Sequence, residues 1–347
     1  MWGRMPQPLI LAGLTWQGTT FKNKEITLQE ISQRLAECKT AWIDIVVEDV
    51  SASIRDVIKQ LGIAYDPTSL LGGYLSNYED LGELLALMVP ILTFKGGAVT
   101  PSPVVILVKR GQVFVIHEPS NRLQRFSEHI EIFLRRLPKG EEAWADRNTL
   151  LLWRLLDEIA EQNFIVLRDL VERAEELQIR LSEAKEFPRD LSRELSSIKR
   201  AIMAFLNAMW ATHETIHTLK SGDPEMVSDK ERVLARFDMI LASIDRQIQM
   251  AEHTLEILAA GINVVQTSLA NRLAGIITIL TVIFTLSIPG TLIGTFYGMN
   301  VNLPGGIESP WDFLGPYTTF IVLVLTSLAS AVALLWYFRR VGWLFSV

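Results

Sequence analysis

Apolar and polar positions change rhythm twice along the chain. Up to about Leu137 they come in short alternating runs, and from about Trp144 to Ala270 they recur every third or fourth residue. After Asn271, two long runs carry no charge at all. Alternation over a few residues marks a strand, and three-to-four spacing marks an amphipathic helix. Leu9–Leu14, Thr40–Val47, Val104–Val108 and Val113–His117 accordingly read as strands, the last two joined by a tight turn at Arg110-Gly111. Thr27-Leu-Gln-Glu30 has the spacing of a capping box and opens a helix expected to run through Cys38. Further helices are expected at Ser51–Leu61, Asp80–Met88 and Ser120–Leu137. Residues 1–143 thus read as a mixed α+β domain.

Residues 144–270 read as long helices. Leu152, Leu155, Leu156, Ile159, Phe164, Leu167, Leu170 and Leu177 keep one face apolar, while Asp157, Glu158, Glu161, Glu172, Glu175 and Glu176 charge the other. Pro188 ends that helix. A second runs from about Arg189 to Lys220 and stops at Ser221-Gly-Asp-Pro224. Ser228-Asp-Lys-Glu231 has capping-box spacing and opens a third, with no Gly or Pro before Gly261, that continues into the first uncharged run. A stalk of this kind cannot bury its apolar face alone and needs copies of itself.

The final part, 271–347, has the composition of a membrane domain. A spanning helix needs roughly 20 mostly apolar residues, and about 273–297 and 318–338 each supply them. The intervening loop, 298–317, holds Glu308 and Asp312 but no Lys or Arg, whereas Arg272 and Arg339-Arg340 flank the other ends. The positive-inside rule then puts both termini in the cytoplasm, in a multi-pass protein of the cell membrane, with the loop outside. Met1 to Pro6 shows no apolar signal-peptide core, so the bulk ahead of the spans is expected to stay cytosolic. The net charge of -6 and pI near 5.5 argue against a nucleic-acid partner. A single cysteine, Cys38, excludes an internal disulfide and a Cys-built zinc site. Gly72-Gly73 and Gly96-Gly97 lack the spacing of a phosphate loop. His117 beside Glu118 is no acid–base pair, since neighbouring strand residues face opposite ways.

The first span carries Thr278, Thr281 and Thr285 at helical spacing, with Thr291 and Thr295 on a neighbouring face. Such a stripe belongs against protein or water rather than lipid, unless each hydroxyl bonds back to a carbonyl one turn earlier. Pro289 removes the donor to the Thr285 carbonyl and permits a bend; Gly290 and Gly294 suit close helix packing. The span closes on Tyr297-Gly298-Met299-Asn300.

That tetrapeptide, at the outer end of the first of two C-terminal spans, resembles the signature of the CorA family of divalent-cation channels. Trp42-Ile43-Asp44 and the hairpin ending in Val115-Ile116-His117-Glu118 also resemble that family's cytosolic domain. The resemblance implies a homopentamer with the first span lining a channel for Mg²⁺, Co²⁺ or Ni²⁺, no enzymatic activity and no cofactor. It implies a selectivity filter of Gly298, Met299 and Asn300, and pore-facing positions at Thr295, Thr291, Ile288, Phe284, Leu280 and Ile277. Those positions lie about one residue round the helix from the Thr278–Thr281–Thr285 stripe. Family members often carry an acidic pair where this chain reads Thr68-Ser-Leu-Leu-Gly-Gly73; Asp238 and Asp245 on the stalk are then the candidate regulatory metal ligands.

The chemistry of Mg²⁺ agrees with an amide filter. The ion sheds its octahedral water shell reluctantly, so neutral oxygens that bond to its waters suit it better than carboxylates that grip the bare ion. Asn300, repeated around an axis, is such a group, and Glu308 and Asp312 would concentrate cations at the mouth. Two other functions stay open. One is a ZntB-like zinc transporter. The other is a membrane zinc peptidase built on His213-Glu214-Thr-Ile-His217, an H-E-x-x-H motif whose only downstream histidine is His253.

Overall fold

The computed structural model describes residues 8–24, 31, 34–72, 77–183, 189–299 and 317–341. Seven strands form one sheet: β1 (Pro8–Thr15), β2 (Thr20–Lys24), β3 (Cys38–Val46), β4 (Asn77–Asp80), β5 (Leu85–Lys95), β6 (Ala98–Lys109) and β7 (Gln112–His117). Their order is β2-β1-β3-β7-β6-β5-β4. Among the described residues only β3 and β7 pair in parallel. The helices are numbered in the same way: α1 (Val50–Gln60), α2 (Asn121–Leu134), α3 (Trp144–Glu183), α4 (Arg189–Lys220), α5 (Glu231–Tyr297) and α6 (Thr318–Val341).

The two faces of the sheet are buried by different partners. Ile43, Ile45, Val105, Leu107, Phe114 and Ile116 on one face pack with Val50, Ile54, Val57 and Ile58 of α1. Asp49 caps α1 by accepting from the Ala52 N–H at 3.1 Å. On the other face Trp42 meets Phe126 of α2 edge-on, 5.4 Å between ring centroids, and its indole N–H donates to Ser127. Helix α3 closes over β5. The buried Asn163 side chain accepts from the Leu92 N–H at 2.8 Å and donates to the Pro90 carbonyl at 3.1 Å. It thereby pairs backbone groups beside a proline that has no N–H of its own.

The expected hairpin between β6 and β7 is present, and its turn depends on Gly111. The residue sits at φ +73, and a Cβ there would lie 2.7 Å from the Lys39 carbonyl oxygen. Its own carbonyl accepts from the Ala41 N–H at 2.8 Å. Gly111→Ala is therefore expected to destabilise the protein by about 1–3 kcal/mol. A thermal midpoint equal to that of the wild type would refute the steric account.

Three expectations need correction. The helix placed at Asp80–Met88 is a turn and two strands: Gly82 at φ +74 breaks the run, and Asp80 accepts from its N–H. Leu85–Leu92 is buried on both sides of its strand, so it shows no alternation and imitates a helix. Cys38 opens β3 rather than ending a helix. Ser228 is not the cap of a box with Glu231, because its hydroxyl donates to Asp146 of α3 and accepts from the Lys230 N–H. β2 had no counterpart in the sequence reading. The Thr27–Glu30 box and the break at Pro188 lie outside the described residues.

α3, α4 and α5 have the boundaries expected of them within two residues, and α5 runs unbroken from Glu231 through the first apolar span as expected. The chain divides into two compact units, the first running to Gly261 and the second beginning at Ile262. Within the first, Gln247 of α5 donates to the Ala160 carbonyl of α3. Lys220 of α4 forms an ion pair with Asp238 of α5.

Candidate functional site: the apolar helices and the stalk acids

Among the described residues two helices, α5 and α6, are long and apolar enough to cross a membrane, with 6% and 0% of their most apolar windows buried. Surface this apolar and this exposed has no place in water. On α5, Val282 is buried, and Gly275, Leu286, Pro289 and Ile293 are half-buried. Gly290 continues that side; a Cβ on it would lie 3.0 Å from Ser327 Oγ of α6. This is the close approach that a small residue permits. At about 100° per residue, Ile277, Leu280, Phe284, Ile288, Thr291 and Thr295 fall on the opposite side. All six are exposed.

The hydroxyl stripe lies between these two sides. Thr278 and Thr285 are half-buried and Thr281 is exposed. Each of the five threonines donates to the carbonyl four residues before it: Thr278 to Ala274, Thr281 to Ile277, Thr285 to Thr281, Thr291 to Ser287 and Thr295 to Thr291, at 2.7–2.9 Å. Their donors are used within the helix, so the stripe by itself calls for no aqueous face.

At the end of α5, the Gly298 N–H donates to the Gly294 carbonyl at 3.0 Å and the Met299 N–H to Phe296 at 3.3 Å. Met299 is exposed. Asn300, Glu308 and Asp312 lie outside the described residues.

Both stalk acids have basic partners on α4. Asp238 pairs with Lys220, and Asp245 Oδ1 lies 3.2 Å from His213 Nε2. Among the described residues no three His, Cys, Asp or Glu side chains converge on one point. His213 and His217 of the H-E-x-x-H motif thus have no third ligand closed around them. Ser69 to Gly72 follow a turn in which Asp66 accepts from the Thr68 N–H.

One buried pair went unforeseen. His117 does not engage the Glu118 carboxylate; its Nε2 lies 2.8 Å from Asp44 Oδ1 and its Nδ1 2.5 Å from the Glu118 carbonyl, with both side chains 1% exposed. Burial works against a charged ring, but the Asp44 carboxylate outweighs it and holds the His117 proton above the usual imidazole range. A charged residue inside each of two otherwise apolar strands was the available signal. The parallel register that puts Asp44 beside Val115 and Val46 beside His117 was not readable.

A family model described as CorA-like Mg²⁺ transporter protein matches residues 38–340. The cobalt/magnesium transport protein CorA of Thermotoga maritima is 24% identical over 201 residues, which are 57% of this chain and 53% of that protein. The magnesium transport protein CorA of Helicobacter pylori is 25% identical over 232 residues, 66% of this chain and 62% of that one. The matches thus span between half and two thirds of these relatives. Among solved structures, the complete CorA magnesium transporter from Methanocaldococcus jannaschii superposes with a TM-score of 0.73 at 18% identity, covering 99% of this chain and 100% of that one. The ZntB cytoplasmic domain from Vibrio parahaemolyticus superposes with a TM-score of 0.54 at 11% identity, covering 77% and 100%. The α/β domain, stalk and paired apolar helices are therefore a fold seen before.

Proposed function

Because the chain belongs to the CorA-like family of Mg²⁺ transporters, we propose that it assembles as a homopentamer and passes hydrated Mg²⁺ into the cytosol down its electrochemical gradient. The observation that carries this reading is the uncovered face of α5. Among the described residues, Ile277, Leu280, Phe284, Ile288, Thr291 and Thr295 stand exposed on the side of α5 away from α6, and that face rises to Gly298 and Met299. Two helices cannot enclose an aqueous path, so copies of α5 must supply the wall.

In this arrangement Asn300, with Gly298 and Met299, forms the outer ring that bonds to the ion's water shell. Ile277, Leu280, Phe284 and Ile288 form apolar rings that gate by dewetting. Glu308 and Asp312 raise the cation concentration at the mouth. Both termini face the cytosol. Asp238 and Asp245 are the candidate sensors of cytosolic cation, which would have to displace Lys220 and His213 to reach them.

The likeness to a ZntB domain gives a second reading, in which the cargo is Zn²⁺. A flux assay on the reconstituted protein separates them. Mg²⁺ entry that equimolar Zn²⁺ leaves unchanged is the expected result; Zn²⁺ entry without Mg²⁺ entry transfers the assignment to the second reading.

A further inference from the structure

Gly290 and Gly294 have the spacing of a close-packing pair, but the fold uses them differently. A Cβ on Gly290 would lie 3.0 Å from Ser327 Oγ of α6, whereas a Cβ on Gly294 would meet nothing within 4 Å. Among the described residues Gly294 thus packs on no neighbour; it borders an opening. A cleft of about 400 Å³ runs there between α5 and α6, with Gly290, Gly294 and Tyr297 on one wall and Phe320, Val324 and Ser327 on the other. From Gly290 to Tyr297 it extends over about 10 Å, at a rise of about 1.5 Å per residue.

Chemistry, position and size select the occupant. Among the described residues no Asp, Glu, Lys, Arg or His lines the cleft, so nothing in it holds a headgroup or an ion. Its walls belong to the helices whose Leu292, Phe296, Ile321 and Leu325 stand exposed, and it is continuous with that bilayer-facing surface. It lies on the α6 side of α5, away from Ile288 and Thr295, so copies of α5 meeting around a pore leave it open. A helix with its side chains is about 10–12 Å thick and does not fit so small a volume.

We propose that the cleft seats one acyl chain of a membrane lipid as a ligand between α5 and α6. An unfilled cleft loses the dispersion contacts of every atom that lines it, and a single flexible chain is thin enough to restore them. Glycine at 294 keeps the seat open. Tyr297 stands at one end of the cleft and is followed directly by Gly298 and Met299. The seated chain therefore sets the spacing of the two helices beside the proposed filter; that consequence, unlike the binding, rests on the pore reading.

The test places the full chain in phosphatidylcholine vesicles in which part of the lipid carries a photoreactive diazirine at mid-chain, and reads the labelled residues by peptide mass spectrometry. In the wild type, label is expected on Leu323 and Val324 of the cleft as well as on Val322 and Leu325, which are exposed on α6 outside it. Gly294→Phe fills the cleft and is expected to abolish label at Leu323 and Val324 while Val322 and Leu325 keep theirs. Gly294→Ala, whose methyl meets no atom and favours the helix, folds in any case and is expected to lower the cleft label in part. Wild-type label confined to Val322 and Leu325 means that a second copy or residues 300–316 cover the cleft, and overturns the proposal. So does cleft label that both variants leave unchanged. Mg²⁺ influx into the same vesicles keeps the two readings apart. Influx without cleft label rejects the seated chain alone, and cleft label without influx rejects the pore alone.

Discussion

Asn300→Ala is expected to cut Mg²⁺ influx by at least about tenfold, equivalent to 1.4 kcal/mol in the barrier, while the oligomer stays intact. A filter that accepts the ion with its waters must offer them hydrogen-bond acceptors in the right places, and an alanine ring offers none. Each lost hydrogen bond is worth about 0.5–1.5 kcal/mol net, and symmetry multiplies the loss around the ring. Asn300→Asp sharpens the test. A ring of carboxylates strengthens attraction but grips the ion and strips water from it, so entry is expected to slow and preference among divalent ions to change. Uptake by Asn300→Ala at the wild-type rate would show that selection happens elsewhere.

The second large effect is on stability. Asp44→Ala leaves His117 buried with a proton and no counter-charge, and removing one partner of a buried pair typically costs about 3–5 kcal/mol. The pH dependence has a definite sign. In the folded chain His117 holds its proton above the ordinary imidazole value, with Asp44 outweighing burial. The pair therefore contributes fully below about pH 6.5, the unfolded value, and its contribution fades as pH rises through the folded value. The difference in denaturation midpoint between wild type and Asp44→Asn should be largest in mild acid and shrink in alkali. A difference that grows with pH would show that the ring is neutral in the fold.

Much of the architecture was legible because it rests on local patterns. The apolar stripe of α3, the stop at Ser221–Pro224 and the uncharged stretch from Leu273 to Tyr297 each set an element by themselves. β5 was misread because a strand buried on both faces has no alternation, and its identity comes from pairing with β6 rather than from its own residues. The Asp44–His117 bond was out of reach for the same reason: a parallel register between residues 73 positions apart has no local signature. The choice between two stripes on α5 was open in sequence; the approach of Gly290 to Ser327 and the back-bonding of the Thr278 and Thr285 hydroxyls both needed the structure. The ion pair of His213 with Asp245 joins α4 to α5 and needed the structure.

The central claim is that the first apolar helix, in several copies, encloses a passive path for a hydrated divalent ion. Its most direct test is Mg²⁺ entry into vesicles containing the purified protein, followed with a lumenal indicator while an inside-negative potential is stepped. The expected result is an influx that starts with the outward Mg²⁺ supply and rises with the potential, without a proton gradient or nucleotide. Vesicles that stay free of Mg²⁺ at every potential would contradict it.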